Sequence, residues 1–190
     1  IYNNSQAFAI VNDEGYIFTI GKNEFGGDSS KVEKQLKNGI KEIYSNLYAF
    51  AALKEDGSVV TWGCGPFGGD SSKVSDKLSE DVKKIYSNND DVFVALKEDG
   101  TIVTWGESSK GGDSSKVKEQ MNNVKEIYNN RDAFAALKED GSVITWGDVT
   151  NGDCSLKVKE YLKDNVKEIY SNYNGFLALK EDGTVVIWGY

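Results

Sequence analysis

Four acidic pairs recur along the chain, Glu55-Asp56, Glu98-Asp99, Glu139-Asp140 and Glu181-Asp182, each followed by Gly. Repeated carboxylates are hard oxygen ligands of the kind that calcium takes. Gly68-Gly69-Asp70-Ser71-Ser72, with its copies, has the glycine-rich form of turns that hold anions at helix N-termini. Trp62, Trp105, Trp146 and Trp188 return at one place and could line a ligand cage. Cys64 offers a thiol. Three facts weigh against chemistry at these places. The chain has no His, which removes the commonest general base and metal ligand and leaves Cys64 without an imidazole to activate it. No Lys follows the glycine-rich segment at Walker spacing. Polar residues that repeat identically do not supply the different residue types that a catalytic site brings to one point. The acidic pairs read as hairpin turns, the glycine-rich segments as helix caps and the tryptophans as shared core. The expectation is a non-enzymatic protein with no metal and no cofactor.

Composition narrows the partners. The formal charge is −8, and nucleic-acid binding needs clustered Lys and Arg, so no nucleic-acid partner is expected. The longest apolar runs, such as 49–53, fall far short of the roughly 20 residues of a membrane span. The two cysteines, Cys64 and Cys154, lie in the same kind of connector two repeats apart and are expected as free thiols, with no disulfide framework or zinc site. The first residue is Ile1 rather than Met, as in a processed chain or one cut from something longer. The compartment is unknown, with an extracellular or cell-surface place favoured over the cytoplasm.

The elements that must position these residues follow from a period. Ile1, Ile43, Ile85, Ile127 and Ile169 are spaced by 42 residues, and each is followed by Tyr. A fixed period of this length is the signature of a repeat architecture. It divides a single repeat domain, 1–190, into units 1–42, 43–84, 85–126, 127–168 and 169–190, the last without its connector. Within a unit, Ile43-Tyr44-Ser45, the stretch 49–53 and the stretch 59–62 read as three short strands rich in β-branched and aromatic residues. Asp56-Gly57 between the last two predicts a hairpin with a left-handed glycine, repeated at Gly15, Gly100, Gly141 and Gly183.

The connectors change period. Val32, Leu36 and Ile40 stand at i, i+4, i+8, as do Val74, Leu78 and Val82, and Val158, Leu162 and Val166; Val117, Met121 and Val124 follow closely. This predicts a helix in each of 29–38, 71–80, 114–122 and 155–163. Asp28, Ser29 and Ser30 stand as N-caps, with Glu33 at capping-box spacing from Ser30. The expected fold is mainly β: five three-stranded antiparallel repeat units, a β-propeller-like arc or ring, joined by short helices.

The segment Ala-Leu-Lys-Glu-Asp-Gly-Ser-Val-Val-Thr-Trp-Gly at 52–63 resembles the repeats of the regulator of chromosome condensation family. It returns at 95–106, 136–147 and 178–189, and more loosely at 10–21 with Ile20 in place of Trp. The resemblance implies a β-propeller built of short blades. The Gly-Gly-Asp-Ser-Ser form looks like repeats found in tandem in large microbial surface proteins.

Two places differ from copy to copy. One is the loop between the first and second strands: Ser5-Gln6, Leu47-Tyr48, Asn89-Asp90-Asp91, Arg131-Asp132 and Tyr173-Asn174. The other follows Trp-Gly: 22–25, 64–67, 107–110 and 148–151. In a three-stranded meander both fall on one edge, and loops on a rigid scaffold are where recognition sits. The expected partner-binding residues are Phe25, Tyr48, Pro66, Phe67, Asp90, Lys110, Arg131, Asp132 and Tyr173. The expected function is protein or glycan recognition through that edge. The alternative is a structural, self-assembling repeat of a surface fibre or large adhesin.

Overall fold

The computed structural model describes residues 1–88, 90–148 and 157–189. Its strands are β1 Tyr2–Asn3, β2 Ala7–Val11, β3 Ile17–Gly21, β4 Ile40–Ser45, β5 Ala49–Lys54, β6 Val59–Gly63, β7 Val82–Ser87, β8 Val92–Lys97, β9 Ile102–Gly106, β10 Val124–Asn129, β11 Ala133–Lys138, β12 Val143–Gly147, β13 Val166–Ser171, β14 Phe176–Lys180 and β15 Val185–Trp188. They form five three-stranded antiparallel meanders, each of three consecutive strands. The sheets stack in chain order, with β1 against β4, β4 against β7 and β10 against β13. The first strands of neighbouring units thus lie side by side. The series of sheets does not close on itself.

The stacking explains the central-strand sequences. Successive residues of a strand face opposite ways. In β5, Phe50 and Ala52 face the preceding sheet, while Ala49, Ala51 and Leu53 face the following one. Both faces are buried, so the strand reads as a continuous apolar run. Four buried clusters result, one between each pair of consecutive sheets.

One arrangement recurs at these joints. Phe50 and Trp62 pair across β5 and β6 and stack, ring centroids 5.2 Å apart. Trp62 Nε1 donates to the carbonyl of Gly26 in the preceding connector at 3.2 Å. Gly26 has φ +94°, and a Cβ there would lie 2.7 Å from the Phe50 ring. Trp105 donates in the same way to Gly68, and Trp146 to Gly111. The tryptophans are core, as expected.

The hairpins are also as expected: Gly57 N donates to Lys54 O, and Gly57, Gly100, Gly141 and Gly183 have φ of +78°, +76°, +76° and +85°. Asp56 Oδ1 accepts from the Ser58 backbone N–H and hydroxyl. These bonds hold its carboxyl below the usual aspartate value. The carboxylate is thus engaged inside the turn.

The connectors carry short helices, as expected, and differ from the reading in three details. Their helices are short 3₁₀ turns, Glu33–Leu36, Ser72–Leu78, Ser115–Gln120 and Lys159–Leu162. The third member of each apolar stripe (Ile40, Val82, Val124, Val166) opens a strand instead. Gly39, Asp81, Asn123 and Asn165, all at positive φ, reverse the chain just before it. With so few residues between the glycine-rich turn and that reversal, an α-helix has no length over which to propagate. The serines do not cap these turns. Asp28, Asp70 and Asp113 accept from the backbone N–H two residues on. Ser29, Ser71 and Ser114 bond the strand threonines Thr19, Thr61 and Thr104. Cys64 is a free thiol; Cys154 and Ser155, with residues 149–151 of the last variable segment, lie outside the described residues.

The hairpin glycines give a graded prediction. A Cβ on Gly57 would lie 2.7 Å from the Asp81 backbone nitrogen, whereas one on Gly183 meets nothing within 4 Å. Gly183→Ala is expected to lose about 1 kcal/mol from left-handed strain. Gly57→Ala should lose clearly more in urea unfolding, because it also presses on the chain reversal at Asp81 that leads into the next sheet.

Candidate protein-interaction edge

Both variable segments of a unit meet at the end of the sheet away from the Glu-Asp-Gly turns. The residue after Trp-Gly donates its N–H to the loop between the first two strands: Lys22 to Gln6, Cys64 to Tyr48, Glu107 to Asp91 and Asp148 to Asp132. A short 3₁₀ turn follows, Asn23–Phe25, Gly65–Phe67 or Ser108–Lys110. The sequence reading missed this turn. It is closed by the left-handed glycines Gly26, Gly68 and Gly111 of the unit joint, so the joint also fixes the direction of the variable residue before each glycine. Pro66 fits the start of such a turn because its φ is preset and its missing N–H is not needed.

Asparagines hold the other loop. Asn46 Oδ1 accepts from the Tyr48 and Ala49 N–H groups, while its Nδ2 donates to Phe67 O. Asn4 binds Phe25 O in the same way, and Asn88 donates to Arg131 O in the next unit. Asn46, Asn88 and Asn130 are buried. Their return every 42 residues was visible in the sequence; what they bind was not. Backbone bonds run from loop to loop, from Ser5 to Leu47, Leu47 to Asp90 and Arg131 to Tyr173.

On this frame the expected residues fall into two groups. Phe25, Tyr48 and Phe67 form one stack, with Tyr48 between the other two at centroid distances of 5.5 and 4.6 Å. The three are half-buried, and Lys22 Nζ sits 4.7 Å from the Phe25 ring centre.

Asp90, Lys110, Arg131, Asp132 and Tyr173 form the second group. Lys110 Nζ lies 2.6 Å from Asp91 and 3.5 Å from Asp132. Arg131 Nε lies 3.2 Å from Asp90 and 3.9 Å from Asp132, with its guanidinium over the Tyr173 ring. Asp91, absent from the expected set, is buried and anchors this group. Burial disfavours the Lys110 charge, but the hydrogen bond to Asp91 and the Asp91, Asp132 and Asp90 charges outweigh it and hold the ammonium above its usual value. Pro66 stands apart: it is exposed and lines a groove of about 940 Å³ between connectors, with Lys73, Lys77, Lys97 and Lys118.

The two groups occupy equivalent positions. Lys110 stands where Phe25 and Phe67 stand, the residue before the joint glycine. Asp91 and Asp132 stand where Tyr48 stands, just before the second strand. The edge therefore changes from aromatic to ionic across the units.

Among the described residues, no helix is long and apolar enough to cross a membrane. No protein-family model and no curated protein matches the sequence. Solved structures do. Human WBSCR16 superposes with a TM-score of 0.58 at 15% identity, over 98% of this chain and 60% of its own. Yeast RCC1 (Prp20), solved bound to Kap60, gives 0.55 at 18% identity, over 98% and 54%. The ectodomain of the Physcomitrella patens receptor kinase CR4 gives 0.53 at 14%, over 98% and 48%. The chain spans about half the length of these proteins.

The ionic group carries a prediction of its own. Lys110→Met leaves the buried Asp91 carboxylate without its cation and Asp132 with Arg131 alone. It should destabilise by about 1.5–3 kcal/mol, the range for hydrogen bonds to charged groups. Arg131→Ala, at a solvent-screened surface pair, should cost clearly less. Urea unfolding of the two variants measures the difference. Five three-stranded meanders, the repeated Trp-Gly segment and these superpositions together show the fold of regulator of chromosome condensation-type repeats.

Proposed function

We propose that this chain is a non-catalytic module that recognises a protein partner through the variable edge. The observation that carries the reading is the contrast between joint and edge. The Gly-Phe-Trp joint is the same wherever it is described, while the positions beside it change from an aromatic stack to an ion-paired cluster. Structural need explains the constancy of the first and does not explain the change in the second.

The fold neighbours support a protein over a glycan. Prp20 was solved bound to Kap60, and Prp20p is described together with binding to Gsp1p and histones. The ionic half, with Asp90, Asp91 and Asp132 around Lys110 and Arg131, and the formal charge of −8 favour a partner with a basic surface beside an apolar anchor. Aromatic and Arg side chains carry most of the energy at interface hot spots. Tyr48, Phe67, Arg131 and Tyr173 supply both kinds.

The test begins with a partner purified from the source organism and measured by calorimetry. Tyr48→Ala and Phe67→Ala should each weaken binding by about 1–4 kcal/mol, and Glu55→Ala, at the opposite edge, should leave it unchanged. Wild-type affinity for both aromatic variants would contradict the reading, as would turnover of an esterase, glycosidase or phosphatase substrate that one substitution abolishes.

A further inference from the structure

β9 is the outer strand of its sheet, so one side of its backbone pairs with no other strand. Lys97 N donates to Thr101 O at the hairpin, and along an antiparallel pair bonded and non-bonded positions then alternate. Val103 and Trp105 therefore exchange bonds with β8, while Ile102 and Thr104 turn their N–H and C=O groups outward. A groove of about 940 Å³ runs along this edge and takes in all of β9. Its walls are the connector turns Ser72–Leu78 and Ser115–Gln120. Its lining runs from Gly65 to Met121, within the chain, so neither end of the chain borders it.

Four lysines line the groove, Lys73, Lys77, Lys97 and Lys118, against the carboxylates of Asp70 and Asp113. Both carboxylates are engaged in turns, where they accept from the Ser72 and Ser115 N–H groups. Among the described residues, none of the four ammonium groups is ion-paired within the chain. The equivalent groove one unit earlier, along β6, measures about 990 Å³ and holds two lysines against Glu24, Asp28 and Asp70. Three positions make the difference. Where the earlier groove has Glu24, Gln35 and Ser75, this one has Pro66, Lys77 and Lys118. Each change raises the charge, in a chain whose formal charge is −8. Lysine on an edge strand blocks pairing with a foreign strand, but β9 carries none, and these four stand beside it.

We propose that this groove binds an acidic, extended segment of a partner protein, laid along β9 as a fourth strand. Strand addition draws affinity from main-chain bonds and selectivity from alternate side chains. The outward groups of Ile102 and Thr104 supply the main-chain bonds. Successive side chains of an added strand point to opposite faces of the sheet. One connector packs on the Val103 face of β9 and the next on the Ile102 face. Lys73 and Lys77 on the first wall therefore meet one set of carboxylates, and Lys118 on the second wall meets the other. The groove along β6 offers the same kind of edge without the charge. Tyr48, Phe67, Arg131 and Tyr173 do not line the groove, so this inference and the reading of the variable edge fail separately.

Fluorescence anisotropy of labelled hexaglutamate on the 190-residue chain tests it at low salt. Saturable binding is expected, weakening as salt is added. Lys77→Gln combined with Lys118→Ser gives this groove the residues that the earlier one already carries, and circular dichroism checks that the fold is kept. The combined variant should bind about tenfold more weakly, through the loss of two screened ion pairs. Hexaglutamate N-methylated along its backbone keeps its charge but cannot complete the ladder, and should lose most of its affinity. Tyr48→Ala should bind the probe as the wild type does. No binding of hexaglutamate at millimolar concentration would overturn the proposal. So would unchanged affinity in the folded combined variant, since the probe would then sit elsewhere. Equal affinity for the N-methylated peptide or for polyphosphate would overturn it as well, since the lysines would then form a general anion surface.

Discussion

The contact on which the rest of the structure depends is the approach of a glycine to a stacked Phe-Trp pair. Gly26, Gly68 and Gly111 are left-handed, carry no Cβ and sit against the Phe ring of the next unit. Their carbonyls accept the indole N–H of that unit. A buried indole N–H without an acceptor would be costly, so the same glycine answers a steric demand and a hydrogen-bonding one. It does so at a place where the chain must also turn from the third strand into the connector.

This coupling separates what the units share from what they can vary. The residue before each joint glycine is fixed in direction by the turn and stands outside the glycine–Phe–Trp contact itself. Phe25, Phe67 and Lys110 occupy it. The buried asparagine does the same for the loop across the edge, since it binds backbone and so holds the loop whether Tyr48, Asp91 or Asp132 follows. The result is a row of side chains with fixed positions and free chemistry. Phe25, Tyr48 and Phe67 stack because three apolar residues share one edge, and Lys110 is drawn between Asp91 and Asp132 because three charged ones do.

Much of this was legible in the sequence, for a physical reason. Strand positions and hairpin glycines are local properties that repeat, so each copy confirms the reading of the last. The meander then placed Tyr48 and Phe67 on one edge before any coordinates. The connectors carry the short helices expected, but their type and extent were not legible, because Val32, Leu36 and Ile40 sit at α-helical spacing, yet Ile40 belongs to a strand beyond a left-handed Gly39. A stripe of three residues cannot report a chain reversal inside it. The split of the edge into stack and ion cluster was hidden as well. It depends on which side chains of adjacent units touch, and spacing along one chain does not encode that.

The central claim is that the glycine contact sets the stability of the stack, and its most direct test compares two glycines three residues apart. A Cβ on Gly68 would lie 2.6 Å from the Phe93 ring, while one on Gly65 in the same turn meets only Asp70 Cβ at 3.5 Å. In urea unfolding, Gly68→Ala is predicted to lose about 2–4 kcal/mol from left-handed strain and overpacking, and Gly65→Ala to lose little. Equal stability of the two variants would contradict the account.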